Sequence, residues 1–172
     1  MINARPFVLA SAMTLSLVSV AVAQSHGAGH GDHLMVLPGE LKWVDVPSLP
    51  AGAQIAVIEG PLGEAKPITA RIRFPANYRL PAHTHPVIEH VTVLTGTFHM
   101  GAGDKLDMAK TKALPAGGFA IMQPGTRHFA WTAEETIVQI HSVGPWGITY
   151  VNPADDPRKK LRRRASRWRG RG

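Results

Sequence analysis

The chain has no cysteine among its 172 residues. Disulfides and thiolate ligands are therefore excluded, and any bound metal must be held by imidazole and carboxylate groups. Beyond residue 23 there is no long 3.6-residue hydrophobic periodicity and no internal repeat, which argues against a helical architecture. The apolar run at residues 7–22 is shorter than the ~20 residues a membrane span usually needs. It also carries Ser11, Thr14, Ser16 and Ser19. With Arg5 ahead of it and Ala21-Val22-Ala23 behind it, the run has the order of an export signal cleaved before Gln24. Residues 1–23 are thus expected to send the protein to the periplasm or the medium, leaving no membrane span after cleavage.

A second absence concerns acids. From Arg158 to the end there are nine Lys or Arg and no Asp or Glu. The formal net charge of +7 therefore misleads, because residues 24–157 hold nine basic residues against all twelve acidic ones, a formal −3. Residues 156–172 have too little apolar content to form a core and read as a disordered basic tail. Such a tail can touch anionic lipid or polyanions, but nothing in the body supports specific nucleic-acid recognition.

What is present is short and extended. QSHGAGHGDH, residues 24–33, is a glycine-rich leader that gives His26, His30 and His33 no fixed geometry. Residues 34–155 suit one domain. Its apolar runs, among them LKWVDV, QIAVIEG, ITARIRF, ETIVQIHSV and GITYV, are separated by Gly- and Pro-containing turns, the pattern of an all-β sandwich or barrel. ITARIRF alternates, with Arg71 and Arg73 on one face and Ala70, Ile72 and Phe74 on the other. An arginine there is either solvated or reaches into a cavity to hold an anionic substrate. Gln139 and His141 share parity on a late strand and could line the same pocket or support a metal ligand. Tyr78 could donate a proton, position a substrate, or pack at the barrel mouth. Phe119, Met122, Phe129 and Trp131 read as core or pocket wall.

The stretch PAHTHPVIEHVTVLTG, residues 81–96, organises the rest. His83 and His85 are two apart, so on a strand both imidazoles look one way, and Pro81 and Pro86 discourage helix around them. Glu89 opens the next run, sharing a face with Val91 and Val93, opposite His90. Two imidazoles and a carboxylate converging from successive strands form a first-row metal site with positions left open.

Here the chain resembles the cupin superfamily. The first motif of that superfamily, G-x5-H-x-H-x3,4-E-x6-G, is met by His83, His85, Glu89 and Gly96, with Asn77 at the leading glycine; Asn also tolerates left-handed backbone. The second, G-x5-P-x-G-x2-H-x3-N, is met by Gly117, Gly125 and His128, while Gln123 and Thr132 replace the proline and the terminal asparagine. The resemblance implies a single-domain, jelly-roll-like small β-barrel with one metal ion held inside by His83, His85, Glu89 and His128. It also implies a homodimer.

That ligand set suits Fe(II), Mn(II), Ni(II), Cu(II) or Zn(II). Such an ion can polarise a carbonyl, acidify water, or hold two reactants together, and a labile Glu89 is then free to act as a base. Two classes of function remain open. One is an exported metal-dependent enzyme acting on a small organic molecule, an oxidoreductase of dioxygenase type first and an isomerase or lyase second. The other is a binding or sensing module that turns nothing over.

Overall fold

The computed structural model describes residues 33–159. The expected export signal, most of the leader, and the tail from residue 160 lie outside them. The chain divides after Met35, and every strand belongs to the unit beginning at Val36. The strands are β1 (Val44–Asp45), β2 (Gln54–Glu59), β3 (Pro67–Phe74), β4 (Arg79–Thr84), β5 (Glu89–Thr95), β6 (Thr97–Ala102), β7 (Lys112–Pro115), β8 (Phe119–Met122), β9 (His128–Trp131), β10 (Thr136–Val143) and β11 (Thr149–Tyr150). The only helical elements among the described residues, apart from the last turn before residue 160, are single 3-10 turns at Pro38–Glu40 and Met108–Lys110.

The strands form two antiparallel sheets, a six-stranded one in the order β1-β2-β3-β10-β5-β8 and a five-stranded one in the order β11-β4-β9-β6-β7. The fold is the all-β jelly-roll barrel. Period-two alternation explains which faces meet. Ile68, Ala70, Ile72 and Phe74 of β3, Val138 and Ile140 of β10, and Val91 and Val93 of β5 are buried between the sheets. Phe74 stacks on Phe98 of β6 across the core, with ring centroids 5.3 Å apart. Burying one such side chain stabilises the barrel by roughly 1.5–3 kcal/mol, so the two inner faces supply most of the cohesion.

Two connections position the site. Gly96 alone joins β5 to β6 and carries the chain from one sheet to the other, at φ 71°. A Cβ there would lie 2.5 Å from the Glu135 carbonyl oxygen, which leaves room for glycine only. Asn77, before β4, adopts φ 59°, the left-handed conformation its place in the motif requires. Because β4 and β5 belong to different sheets, the short link between them sets the histidines and Glu89 on opposite walls of the barrel.

Two aromatic expectations need correction. Phe119 is 53 % exposed, because its parity on β8 turns it away from the core. Trp131 faces outward from β9 and stacks on His99 at 3.8 Å. Met122 and Phe129 are buried as expected.

Candidate metal centre

His83 and His128 are register partners across β4 and β9, and their rings lie 4.2 Å apart. Pro81 has no N–H to give the ladder, and the β4–β9 pairing slips between Leu80 and His83. The Pro81 carbonyl accepts a hydrogen bond from His83 Nδ1 at 2.7 Å. His85 Nδ1 donates to the Gly147 carbonyl at 2.7 Å, and His128 Nδ1 donates to the Thr126 carbonyl at 2.9 Å. A carbonyl can only accept, so each Nδ1 carries the proton and each neutral ring keeps its lone pair on Nε2. One ring nitrogen of each histidine lies within 4.8 Å of the other two. Backbone carbonyls thus fix three tautomers and three ring orientations toward one point.

Burial sets the charge state. All three rings are at most 5 % exposed. His83 is held well below the ordinary 6.5 by burial and by its imidazole neighbours, His128 first. Burial pushes His85 down to about 4 and lowers His128 as well. At neutral pH the three are uncharged and ready to ligate.

Glu89 reaches in from the six-stranded sheet. Its Oε1 lies 3.5 Å from His85 Nε2 and its Oε2 lies 3.9 Å from His128 Nε2. The carboxylate therefore flanks the three-histidine cluster from across the barrel. Trp146 Nε1 donates to Glu89 Oε1 at 3.1 Å, which leaves Oε2 facing His128. Burial raises the Glu89 pKa to about 7, against the pull of His128 and the Trp146 hydrogen bond.

This donor set fits a metal ion. Three imidazole lone pairs and a carboxylate turned toward one buried space repel one another unless a cation or a proton lies between them. Imidazole and carboxylate together suit a first-row divalent ion. His83, His85 and His128 would be its primary ligands, with Glu89 at their side.

The other expected site residues lie elsewhere. Tyr78 is a packing residue: its hydroxyl donates to the Pro50 carbonyl at 2.6 Å and its ring lies against Phe74. Burial raises its pKa, and it does not line the cavity of the histidines. Arg71, Arg73, Gln139 and His141 are on the outer face of the six-stranded sheet, because the inner parity of β3 and β10 belongs to their aliphatic residues. Arg71 Nε donates to Gln139 Oε1 at 3.0 Å. Arg73 bonds Gln54 and stacks over Trp43 at 4.6 Å. None of the four can touch a ligand held by the histidines.

Trp146 is the residue that sequence reasoning passed over. Besides bonding Glu89 it stacks on His85, with centroids 5.3 Å apart and planes at 10°. Its only signal was position, an indole between Pro145 and Gly147 in GPWG. The cluster forms one wall of a cavity of about 390 Å³. Apolar side chains line most of the rest, among them Ile72, Phe74, Val91, Phe98, Val138 and Ile140. Arg158, the first residue of the basic run, is on the same lining. Its guanidinium binds both Asp156 oxygens, at 2.7 and 3.0 Å, and the Ile148 carbonyl at 3.2 Å.

Three solved structures share the fold. The polyketide cyclase RemF of Streptomyces resistomycificus superimposes with a TM-score of 0.60 at 16 % identity, over 76 % of this chain and 94 % of its own. A candidate acetylacetone dioxygenase of Methylibium petroleiphilum gives 0.56 at 18 % identity, over 77 % and 90 %. The DMSP lyase DddQ of Ruegeria pomeroyi gives 0.53 at 16 % identity, over 65 % and 61 %. Comparison with curated proteins gives no match. The sequence profile of the ChrR cupin-like domain matches residues 31–146, well over half of the chain. With the two-sheet barrel and its inward histidines, that match shows that the chain belongs to the cupin superfamily, in the family of the ChrR cupin-like domain.

Proposed function

We propose that this cupin is an exported, metal-dependent enzyme acting on a small organic molecule, an oxygen-using oxidoreductase first and an isomerase or lyase second. One observation carries the reading. Three buried imidazoles with fixed tautomers stand beside a buried carboxyl, on the wall of a partly open cavity. A storage pocket has no need of a proton-accepting group held beside its metal ligands and facing the cavity, whereas general acid–base catalysis does. The bound ion would act as a Lewis acid toward the substrate. The chain supplies the rest: imidazoles set by carbonyls, an aliphatic wall, and a proton held or taken at Glu89 Oε2 while Trp146 holds Oε1. The cupin fold is shared by proteins described as a cyclase, a lyase and a candidate dioxygenase, and fold alone does not choose among such reactions.

Export rests on the order of the first 23 residues, and N-terminal sequencing from the native host is expected to begin at Gln24. Full-length cytosolic protein would defeat it. Homodimerisation is supported by Phe119 and Ile121, each 53 % exposed on the edge strand β8, and light scattering is expected to give twice the chain mass.

The decisive test is Glu89→Gln. The variant keeps the shape and the Trp146 hydrogen bond but loses the base. It should retain a measurable fraction of the metal while turnover in an Fe(II) and oxygen screen falls by about 10²-fold or more. A loss of activity only in step with metal content would show that Glu89 is a ligand and nothing else.

A further inference from the structure

We propose that the site takes a compact, uncharged molecule with a hydrocarbon body and an enolic or phenolic oxygen head directed at the histidines. This deepens the enzyme reading above and rests on it. The cavity separates its polar and apolar parts sharply. Its buried lining side chains, other than His83, His85, Glu89 and His128, are aliphatic, phenylalanine or alanine. Half-buried Leu62, Met100 and Trp146 extend that wall, and the one N–H of Trp146 is committed to Glu89.

The remaining polar lining side chains, those of Asp45, Ser48 and Arg158, are exposed or half-buried at the rim. Asp45 is exposed and accepts from Gln54 at 3.3 Å. Half-buried Ser48 accepts from Tyr150 at its carbonyl at 2.8 Å and keeps its hydroxyl at the rim. Arg158, 43 % exposed, forks to Asp156 through Nε and Nη2 and so holds its charge at the rim, away from the buried wall. The Gly147 carbonyl already takes the His85 proton.

A ligand seated against the histidines therefore meets hydrocarbon along the buried wall, with polar side chains only at the rim. Each hydroxyl, amine or carboxylate it carried against that wall would shed its water and find no partner. Sugars, amino acids and polycarboxylates are disfavoured on this ground. At the head the preference reverses, since Glu89 Oε2 has no hydrogen bond and can accept from an acidic O–H. The volume of about 390 Å³ is near the small end for ligand pockets, which sets the size as one ring or a short branched chain.

The test uses the full chain loaded with Zn(II) and three probes, with calorimetry as readout. Tropolone is an apolar ring bearing adjacent carbonyl and hydroxyl oxygens. Kojic acid presents a similar pair on a ring with an added hydroxymethyl group, and malonate is a small dianionic chelator. Affinities are taken relative to each probe's own affinity for zinc in water. Tropolone is expected to bind most tightly, with kojic acid and malonate each about tenfold or more weaker. Val138→Phe, which fills the cavity from β10, should weaken tropolone by about tenfold while leaving zinc content unchanged. If that variant fails to fold, the probe series on the native protein still decides.

Toluene binding to the metal-free protein separates this inference from the reading beneath it. Toluene bound but zinc not retained would defeat the metal centre and support the apolar class. Zinc retained with kojic acid or malonate bound as tightly as tropolone would overturn the inference, and so would a metal-free protein that takes no toluene.

Discussion

Two polar clusters stand back to back, one between the sheets and one on the outer face of the six-stranded sheet. Each is built around histidine with a carboxylate near by. In the outer cluster Arg71 donates to Gln139, and Gln139 Nε2 lies 2.8 Å from His141 Nε2. His141 Nδ1 lies 3.3 Å from Thr69 Oγ1, which in turn donates to Glu59 at 2.9 Å. Both ring nitrogens of His141 are therefore engaged by side chains, and the chain of donors ends on the Glu59 carboxylate. In the inner cluster one nitrogen of each ring is engaged, by a backbone carbonyl, and the other is left for a ligand. The difference that makes one cluster a binding site is thus an unspent lone pair held in a dry place, and histidine content has little to do with it.

The comparison breaks most visibly on removing a ring. His83→Ala or His128→Ala deletes one of three converging donors, and metal content measured by elemental analysis should collapse. The loss in affinity should exceed the roughly 10–100-fold cost of losing a group that only supports a ligand. His141→Ala should leave metal content unchanged and shift stability by no more than about 0.5 kcal/mol, as surface changes do. Metal lost equally from both variants would erase the distinction.

Acid should sharpen it next. Folded His85 has its pKa at about 4 against an ordinary 6.5, and His83 and His128 are lowered too. As pH falls below 6.5 the unfolded chain takes up protons that the folded chain refuses, so folding stability drops. For His85 alone the full loss is on the order of 3 kcal/mol, reached below about pH 4. Glu89 works the other way. Raised to about 7 from 4.5, it is protonated in the folded chain and ionised in the unfolded one between those values, so its contribution is lost as pH rises. The three histidines outnumber it. Melting temperature in a chelator should therefore fall on acidification, most steeply below about pH 4.5, where Glu89 no longer opposes them. In Glu89→Gln the fall should begin nearer pH 6.5. A metal-free protein equally stable from pH 7 to 4 would contradict the burial argument.

Much of this was legible in the chain. The i, i+2 spacing of His83 and His85 fixed their common face, and the motif spacing brought in Glu89 and His128 from strands that sequence alone does not pair. The outer cluster was misplaced for an instructive reason. Parity shows which residues share a face, and it leaves open which face of β3 and β10 turns inward until the two sets are weighed against each other. Ile72 and Phe74 alternate with the arginines, and Val138 and Ile140 alternate with Gln139 and His141. A strand cannot turn both sets inward, and the aliphatic set wins because leaving it in water costs more. Trp146 was not legible at all. Its contacts with Glu89 and His85 arise from a loop folding back over 57 and 61 positions of sequence, and no local pattern encodes that.

Trp146 gives the third prediction. Trp146→Phe keeps the stack on His85 but removes the donor to Glu89 Oε1. The carboxylate then gains freedom to rotate, and metal affinity should change by about tenfold, within the range for lost supporting hydrogen bonds. Competition with a fluorescent chelator would measure it, and an unchanged affinity would show that the indole merely fills space.

The smallest effect is expected where the barrel meets the basic run. Ending the chain after Lys159 removes seven of the nine basic residues beyond position 157 but leaves every described contact in place. Melting temperature and metal content should not move. Ending it after Pro157 also deletes Arg158, whose guanidinium bridges Asp156 and the Ile148 carbonyl at the cavity rim. That side chain is 43 % exposed, so solvent screens the pair and the cost should be at most ~1 kcal/mol. Comparing the two truncations therefore isolates the pair Arg158 and Lys159, of which the exposed Lys159 contributes only a backbone N–H to the Asp156 carbonyl at 3.2 Å. If both leave stability unchanged, Arg158 is no more than the start of a solvated tail. If the shorter chain alone loses stability or admits malonate to the cavity, Arg158 belongs to the barrel, and the folded domain ends at residue 158 instead of 155.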